Sequence, residues 1–238
     1  MNLFYDPSIN LETEIFIFSS SESKHIYKVL RKSPGDNIEV TNGKGMNWKG
    51  TLTQVGNKNT KAKKIESFIS NDLRCNIEVA IAPTKNNDRM EWFIEKATEI
   101  GIKKINFIKT ENSERKKINL ERFKKIAISA MKQSKQFYLP EISDMISLKE
   151  FLVQNRNHQK YIAHCEKSKK KHIANITLNN KPIIILIGPE GDFSKKEINS
   201  VILKKFMPIS LGHQRLRTET AALFALQTFS VLSHLQNN

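Results

Sequence analysis

Five consecutive aliphatic residues, Ile183-Ile184-Ile185-Leu186-Ile187, constrain the fold of this chain more than any other stretch. A run that is apolar at every position, and mostly β-branched, reads as a strand covered on both faces, as in a parallel sheet. Parallel strands need crossover connections, usually helical, so the run predicts an α/β domain. It ends in Gly188-Pro189-Glu190-Gly191. A second glycine-bearing loop, Leu211-Gly212-His213-Gln214-Arg215-Leu216-Arg217, begins at the end of an apolar strand over residues 208–211. Ligands bind open α/β sheets where strands hand over to loops, so the two loops are expected to be two walls of one pocket.

Strand and helix patterns alternate around this run, with strands over 77–82, 104–108 and 161–164 and helices over 88–100 and 120–136. Asp88 and Glu91 suit N-cap and N3 positions, and Gly101 suits the residue that ends the helix. Ser194 and Glu197 have the spacing of a capping box, and a final helix starts near Thr218. That helix is apolar around most of its circumference, which demands burial in the core or against a second copy. The first 70 residues differ: strand patterns at 14–18, 37–40 and 48–55 alternate with turn signals, around one short helix at 23–31. This is the pattern of a small β-barrel. A polar stretch at 70–74 divides domain 1–70 from domain 71–238.

A formal net charge of +15, from 39 Lys and Arg against 24 Asp and Glu, favours an anionic partner such as nucleic acid. Because 31 of the 39 are Lys, a compositional bias would also produce it. Nine basic residues between Lys103 and Lys125 read either as a solvated helix face or, with Arg31, Lys32, Lys61, Lys63 and Lys64, as a phosphate track. Cys75 and Cys165 make no disulfide framework, which suits a reducing cytoplasm. No signal peptide and no apolar run of about 20 residues suggests secretion or a membrane span. The histidines lack metal-ligand spacing, His164-Cys165 reads as strand packing, and nucleotide-binding glycine motifs are missing, so no metal is expected.

Taken alone, Gly188 and Gly191 allow a close backbone approach or a positive φ, although a simple strand-ending turn explains them too. Leu211, Gly212 and Leu216 would face them, with bulk packing as the alternative for the leucines. Arg217 is permanently charged, and Glu219 in a first helical turn is favoured by the helix dipole whatever its function.

The segments Leu186-Ile187-Gly188-Pro189-Glu190-Gly191 and Leu216-Arg217-Thr218-Glu219-Thr220-Ala221 resemble the signature motifs of the RsmE family. Further similarity at Ile94-Glu95-Lys96-Ala97-Thr98-Glu99-Ile100-Gly101 and His25-Ile26-Tyr27-Lys28-Val29-Leu30-Arg31 extends the resemblance over nearly the whole chain. Three positions depart from it: Asp192 where a second glycine is common, His213 in place of proline, and Lys135-Gln136 in place of Gly-Arg. The resemblance implies a C-terminal SPOUT-type α/β trefoil-knot domain with an N-terminal PUA-like β-barrel domain that binds RNA. It also implies a homodimer that methylates uridine N3 in 16S ribosomal RNA of the small ribosomal subunit. By the same resemblance S-adenosylmethionine would be held by Leu186, Ile187, Gly188, Pro189, Glu190, Gly191, Leu211, Gly212, Leu216, Arg217 and Thr218. Uridine N3 carries a proton, so its methylation needs a stabiliser of the uracil anion, a role for Arg217, and a group to take the proton or orient the ring, Glu219 or Glu190. Arg31, Lys32 and Arg115 are the substrate-side candidates. The rival is a non-catalytic RNA-binding ribosome-assembly factor, which has no need of an adenosyl pocket.

Overall fold

The computed structural model describes residues 2–154 and 157–236, which divide into two compact units: Met1–Leu73 with Met131–Leu139, and Arg74–Ala130 with Pro140–Asn238. The strands of unit 1 are β1 (Leu3–Tyr5), β2 (Ile15–Ile17), β3 (Asn37–Thr41), β4 (Met46–Gln54) and β5 (Lys61–Ile69), in sheet order β1-β3-β4-β5-β2. Sequence patterns missed β1 and β5, the latter because its lysines alternate with few apolar partners. Two register shifts between β4 and β5 curl the long hairpin around its core. Phe4, Phe16, Phe18, Trp48 and Leu52 fill that core, and the Trp48 indole donates to the Thr13 carbonyl at 2.7 Å. Gly50 has a packing reason to be glycine, since a Cβ there would lie 2.4 Å from the Trp48 ring.

The short helix of unit 1 starts earlier than its pattern predicts. Helix α1 (Ser20–Lys24), capped by Ser19, runs into a π-helical turn over His25–Val29 and ends at Arg31 with φ 50. Residues 131–139 pack with this unit, not with the domain that a single break near residue 70 assigns them to. The Leu139 amide donates to Gly43, the Gly45 amide to Phe137, and the Tyr138 hydroxyl to Ser70.

Unit 2 holds β6 (Ile77–Ile81), α2 (Asn87–Ile100), β7 (Lys104–Lys109), the first part of α3 (Leu120–Gln133), β8 (Glu141–Ile142), β9 (Ile146–Ser147) and α4 (Leu148–Val153). After these come β10 (Gln159–Ala163), β11 (Lys171–His172), β12 (Ile183–Ile187), α5 (Lys195–Leu203), β13 (Met207–Ser210) and α6 (Thr218–Gln236). The sheet order is β11-β13-β10-β12-β6-β7-β8, with β9 also on β7, and every pairing is parallel. All five residues of β12 are buried, as its uninterrupted apolar run requires. Each stabilises the fold by roughly 1.5–3 kcal/mol before conformational entropy is counted. Ser194 and Glu197 form the expected capping box on α5, and Gly101 ends α2 at φ 89. The α2 cap itself is Asn86, whose side chain accepts from the Asp88 amide, and Asp88 sits inside the first turn. An Asn two residues upstream serves equally well as an acceptor, so spacing could not choose between them.

Candidate active site

The carboxyl ends of β13, β10 and β12 lie side by side, because the three strands are parallel neighbours. The segments that follow them enclose a cavity of about 1000 Å³. Gly188 to Phe193 form one wall, Leu211 to Thr218 a second, and His164 to Lys167 with Lys170 a third. The sequence-derived candidates Ile187, Gly188, Pro189, Glu190, Gly191, Leu211, Gly212, Leu216, Arg217 and Thr218 all line it. Leu186 does not: its side chain is fully buried in the unit 2 core, because alternate residues of β12 face opposite sides of the sheet.

The first two walls are pinned together where α6 begins. Thr218 is buried, and its hydroxyl donates to the Gly188 carbonyl at 3.0 Å. The first wall is braced from behind by the β6–α2 and β7–α3 loops. Glu190 accepts from the Lys85 amide at 3.2 Å, and the Asn112 side-chain amide donates to the carbonyls of Gly191 at 3.1 Å and Asp192 at 3.0 Å. Arg115, expected to face substrate, instead donates to the carbonyls of Thr84, at 2.8 Å, and Lys85. Its guanidinium therefore holds the loop before α2.

Neither Gly188 nor Gly191 takes a positive φ; that conformation falls on Asp192, with φ 60. A Cβ on Gly188 would lie 3.1 Å from the Phe193 ring, and one on Gly191 would lie 3.2 Å from Asn112 Cβ. The two glycines let the loop fold tightly on itself and on its brace. Asp192 uses its side chain to stitch walls together, accepting from the Cys165 amide at 2.7 Å and the Phe193 amide at 2.8 Å.

The third wall escaped sequence analysis. His164 is part-buried, and both ring nitrogens lack a hydrogen-bond partner among the described residues. Burial first, and Lys170 second, hold its pKa below the ordinary value, against the opposing pull of Asp192 and Glu166. Burial also lowers the Lys170 ammonium, which donates to the His164 carbonyl at 2.5 Å. The only sequence signal was the position of His164 at the end of an apolar strand.

Glu219 follows Thr218 but does not line the cavity. It is 5% exposed, one oxygen lies 3.8 Å from Arg89 Nε of α2, and the other has no hydrogen-bond partner among the described residues. Arg217 is an exposed residue of the second wall, while Arg31 and Lys32 lie in unit 1 after the π-helical turn.

A cavity at the carboxyl edge of a parallel sheet is where α/β proteins bind small molecules, and comparison with known proteins narrows the class to RNA methyltransferases. The model for the RNA methyltransferase domain matches residues 71–230, and that for the RNA methyltransferase PUA domain matches residues 18–65. A ribosomal RNA small subunit methyltransferase E from Buchnera aphidicola is 31% identical, with 93% of each chain covered. A probable rRNA-methyltransferase from Porphyromonas gingivalis superposes with a TM-score of 0.91 at 36% identity over 99% of both chains. The ribosomal RNA small subunit methyltransferase E from Neisseria gonorrhoeae, solved bound to S-adenosyl methionine, gives 0.86 at 26% identity over 98% of both. This chain belongs to the ribosomal RNA small subunit methyltransferase E family. Its fold class is that of the family, a SPOUT-type α/β trefoil-knot domain preceded by a PUA-like β-barrel.

Proposed function

We propose that this protein methylates uridine N3 in 16S ribosomal RNA of the small ribosomal subunit, using S-adenosylmethionine bound in the cavity of unit 2. The observation that carries the reading is the joining of the two motif loops, through Thr218 and Gly188, into one cavity at the carboxyl edge of the sheet. Its volume lies at the upper end of the range for small-molecule sites, enough for an adenosyl group and an amino-acid tail. Ile187, Leu211 and Leu216 offer apolar surface to a purine, and the loops offer backbone donors and acceptors to its edge and ribose. When bound, the cofactor supplies an electrophilic methyl group. Arg217, exposed at the rim, stabilises negative charge on the uracil oxygens as the N3 proton leaves. Glu190 has one oxygen on the Lys85 amide and orients the first wall.

Two copies of the chain pair through α6, whose Phe224, Val231 and Leu235 are exposed apolar residues on its outer face. No described helix is long and apolar enough to cross a membrane, and the proposed substrate places the enzyme in the cytoplasm.

The test supplies small subunits lacking the modification with tritiated S-adenosylmethionine and identifies the labelled nucleoside after digestion. The expected product is 3-methyluridine. A different methylated nucleoside would overturn the assignment to N3. Cofactor binding without incorporation into any ribosomal RNA would favour the assembly-factor reading. Arg217→Ala should lower turnover by on the order of 10²–10³, much more than it weakens cofactor binding.

A further inference from the structure

We infer that Lys170 binds the carboxylate of the cofactor's amino-acid tail, so that the third wall separates S-adenosylmethionine from adenosine compounds lacking that tail. The inference rests on the cofactor reading above. Four Lys and Arg residues line the cavity: Lys167, Lys170, Arg215 and Arg217. Lys167, Arg215 and Arg217 are exposed, so water and salt screen them, whereas Lys170 is half-buried. Its charge is the one in the lining that an entering ligand would meet with least screening.

Taking an ammonium out of water is costly unless its donors find acceptors. A lysine carries three N–H donors, and among the described residues Lys170 uses one, on the His164 carbonyl. That bond ties the segment between β10 and β11, but a neutral donor would do as much. Nearby acids do not complete the site. Asp192 places its two oxygens on the Cys165 and Phe193 amides, and Glu166 pairs loosely with Lys195 at 3.7 Å. Burial outweighs the pull of Cys165, Asp192 and Glu166 and holds the Lys170 pKa below the ordinary lysine value. The protein thus leaves this cation under-compensated at the cavity surface.

The cofactor carries a single anionic group, the carboxylate of its zwitterionic tail. Ile187, Leu211 and Leu216 and the loop backbones suit its nucleoside, while the third wall offers Lys170 and Glu166, one charge of each sign, as the tail's carboxylate and ammonium require. Asp192 fastens the Cys165 amide to the first wall, so Lys170 is held close to the loop that faces the nucleoside. RNA phosphate is the other anion that could arrive. The exposed Lys167, Arg215 and Arg217 suit a phosphate backbone passing outside, whereas a half-buried ammonium suits a small group that enters with the cofactor.

The test is calorimetric titration of wild type and Lys170→Met with three ligands, with melting temperatures measured in parallel. The ligands are S-adenosylhomocysteine, its decarboxylated analogue, which keeps the amine, and 5′-methylthioadenosine, which lacks the whole tail. In wild type, loss of the carboxylate should weaken binding by on the order of tenfold. Lys170→Met should weaken S-adenosylhomocysteine by a similar factor and leave the other two ligands near their wild-type affinity. Equal weakening of all three ligands would show that Lys170 merely holds its loop, and would overturn the inference. Unchanged affinity for S-adenosylhomocysteine with weaker binding of small subunits would move Lys170 to RNA phosphate and overturn it equally. Should Lys170→Met fail to fold, Lys170→Gln, which keeps a donor for the His164 carbonyl, takes its place with the same expected outcomes. Wild type that binds none of the three ligands would instead sink the proposed cofactor site, and this inference with it.

Discussion

Asp192 and Lys135 show how much one backbone angle decides. Both stand where the resembling family often has glycine, and both adopt a left-handed conformation, with φ 60 and φ 55. For a non-glycine residue that conformation costs roughly 1–2 kcal/mol, while glycine adds about 0.5–1 kcal/mol of chain entropy to folding. Lys135→Gly should therefore stabilise unit 1 by about 0.5–1 kcal/mol, read as a higher urea midpoint. Asp192→Gly should have the opposite sign, because it deletes the acceptor of the Cys165 and Phe193 amides and frees the third wall from the first. His164 sets a pH dependence. Its folded pKa is lowered, so the unfolded chain binds the proton more readily and the stabilisation is present above the unfolded value of 6.5. It is lost as pH falls from there through the folded value. In His164→Gln the fall in melting temperature between about pH 7.5 and about pH 5.5 should be smaller than in wild type.

Among the elements, those with the strongest local signals sit where the sequence places them. β12 spans the five residues of its apolar run, and the α5 capping box forms with both reciprocal bonds. Ser194→Ala removes the acceptor for the Glu197 amide, and should destabilise unit 2 by about 1 kcal/mol in chemical denaturation. The same cap follows Phe193 in the cavity wall, so a modest loss of cofactor affinity should accompany it in calorimetry. Elements with weak patterns were hidden. The two-residue strands β8 and β9 and the 3-residue β1 are too short to show a period, and they exist because a neighbouring strand offers free backbone groups. The apolar character of α6 predicted burial, and Ala222, Ala225, Leu226 and Phe229 are buried, yet Phe224 and Val231 remain exposed.

At the scale of the whole molecule, division into two units does not follow one break in the chain. Residues 131–139 belong to unit 1 through bonds to Thr41, Gly43, Gly45 and Ser70, so a chain beginning near Asn71 strands that segment. Substitution is the cleaner probe of RNA docking. Arg31→Gln with Lys32→Gln should weaken binding to small subunits while leaving cofactor affinity intact. The dependence of log affinity on log salt should become shallower by about one per lost phosphate contact. An unchanged slope in filter-binding titrations would remove these residues from the RNA track.

The sequence by itself determined the parallel α/β class, the two motif loops, the α5 capping box and the end of α2 at Gly101, because burial on both faces of a strand and the needs of a helix end are local demands. It carried the family resemblance for the same reason: motif loops are contiguous. Only the tertiary structure decided that β10 lies between β12 and β13, which brings His164 and Lys170 to the cavity as its third wall. Only it turned Leu186 into the core, committed Arg115 to backbone carbonyls, and joined Glu219 to Arg89 across 130 positions of chain. Strand order and long-range pairing depend on how whole elements pack, and no window of sequence contains both partners.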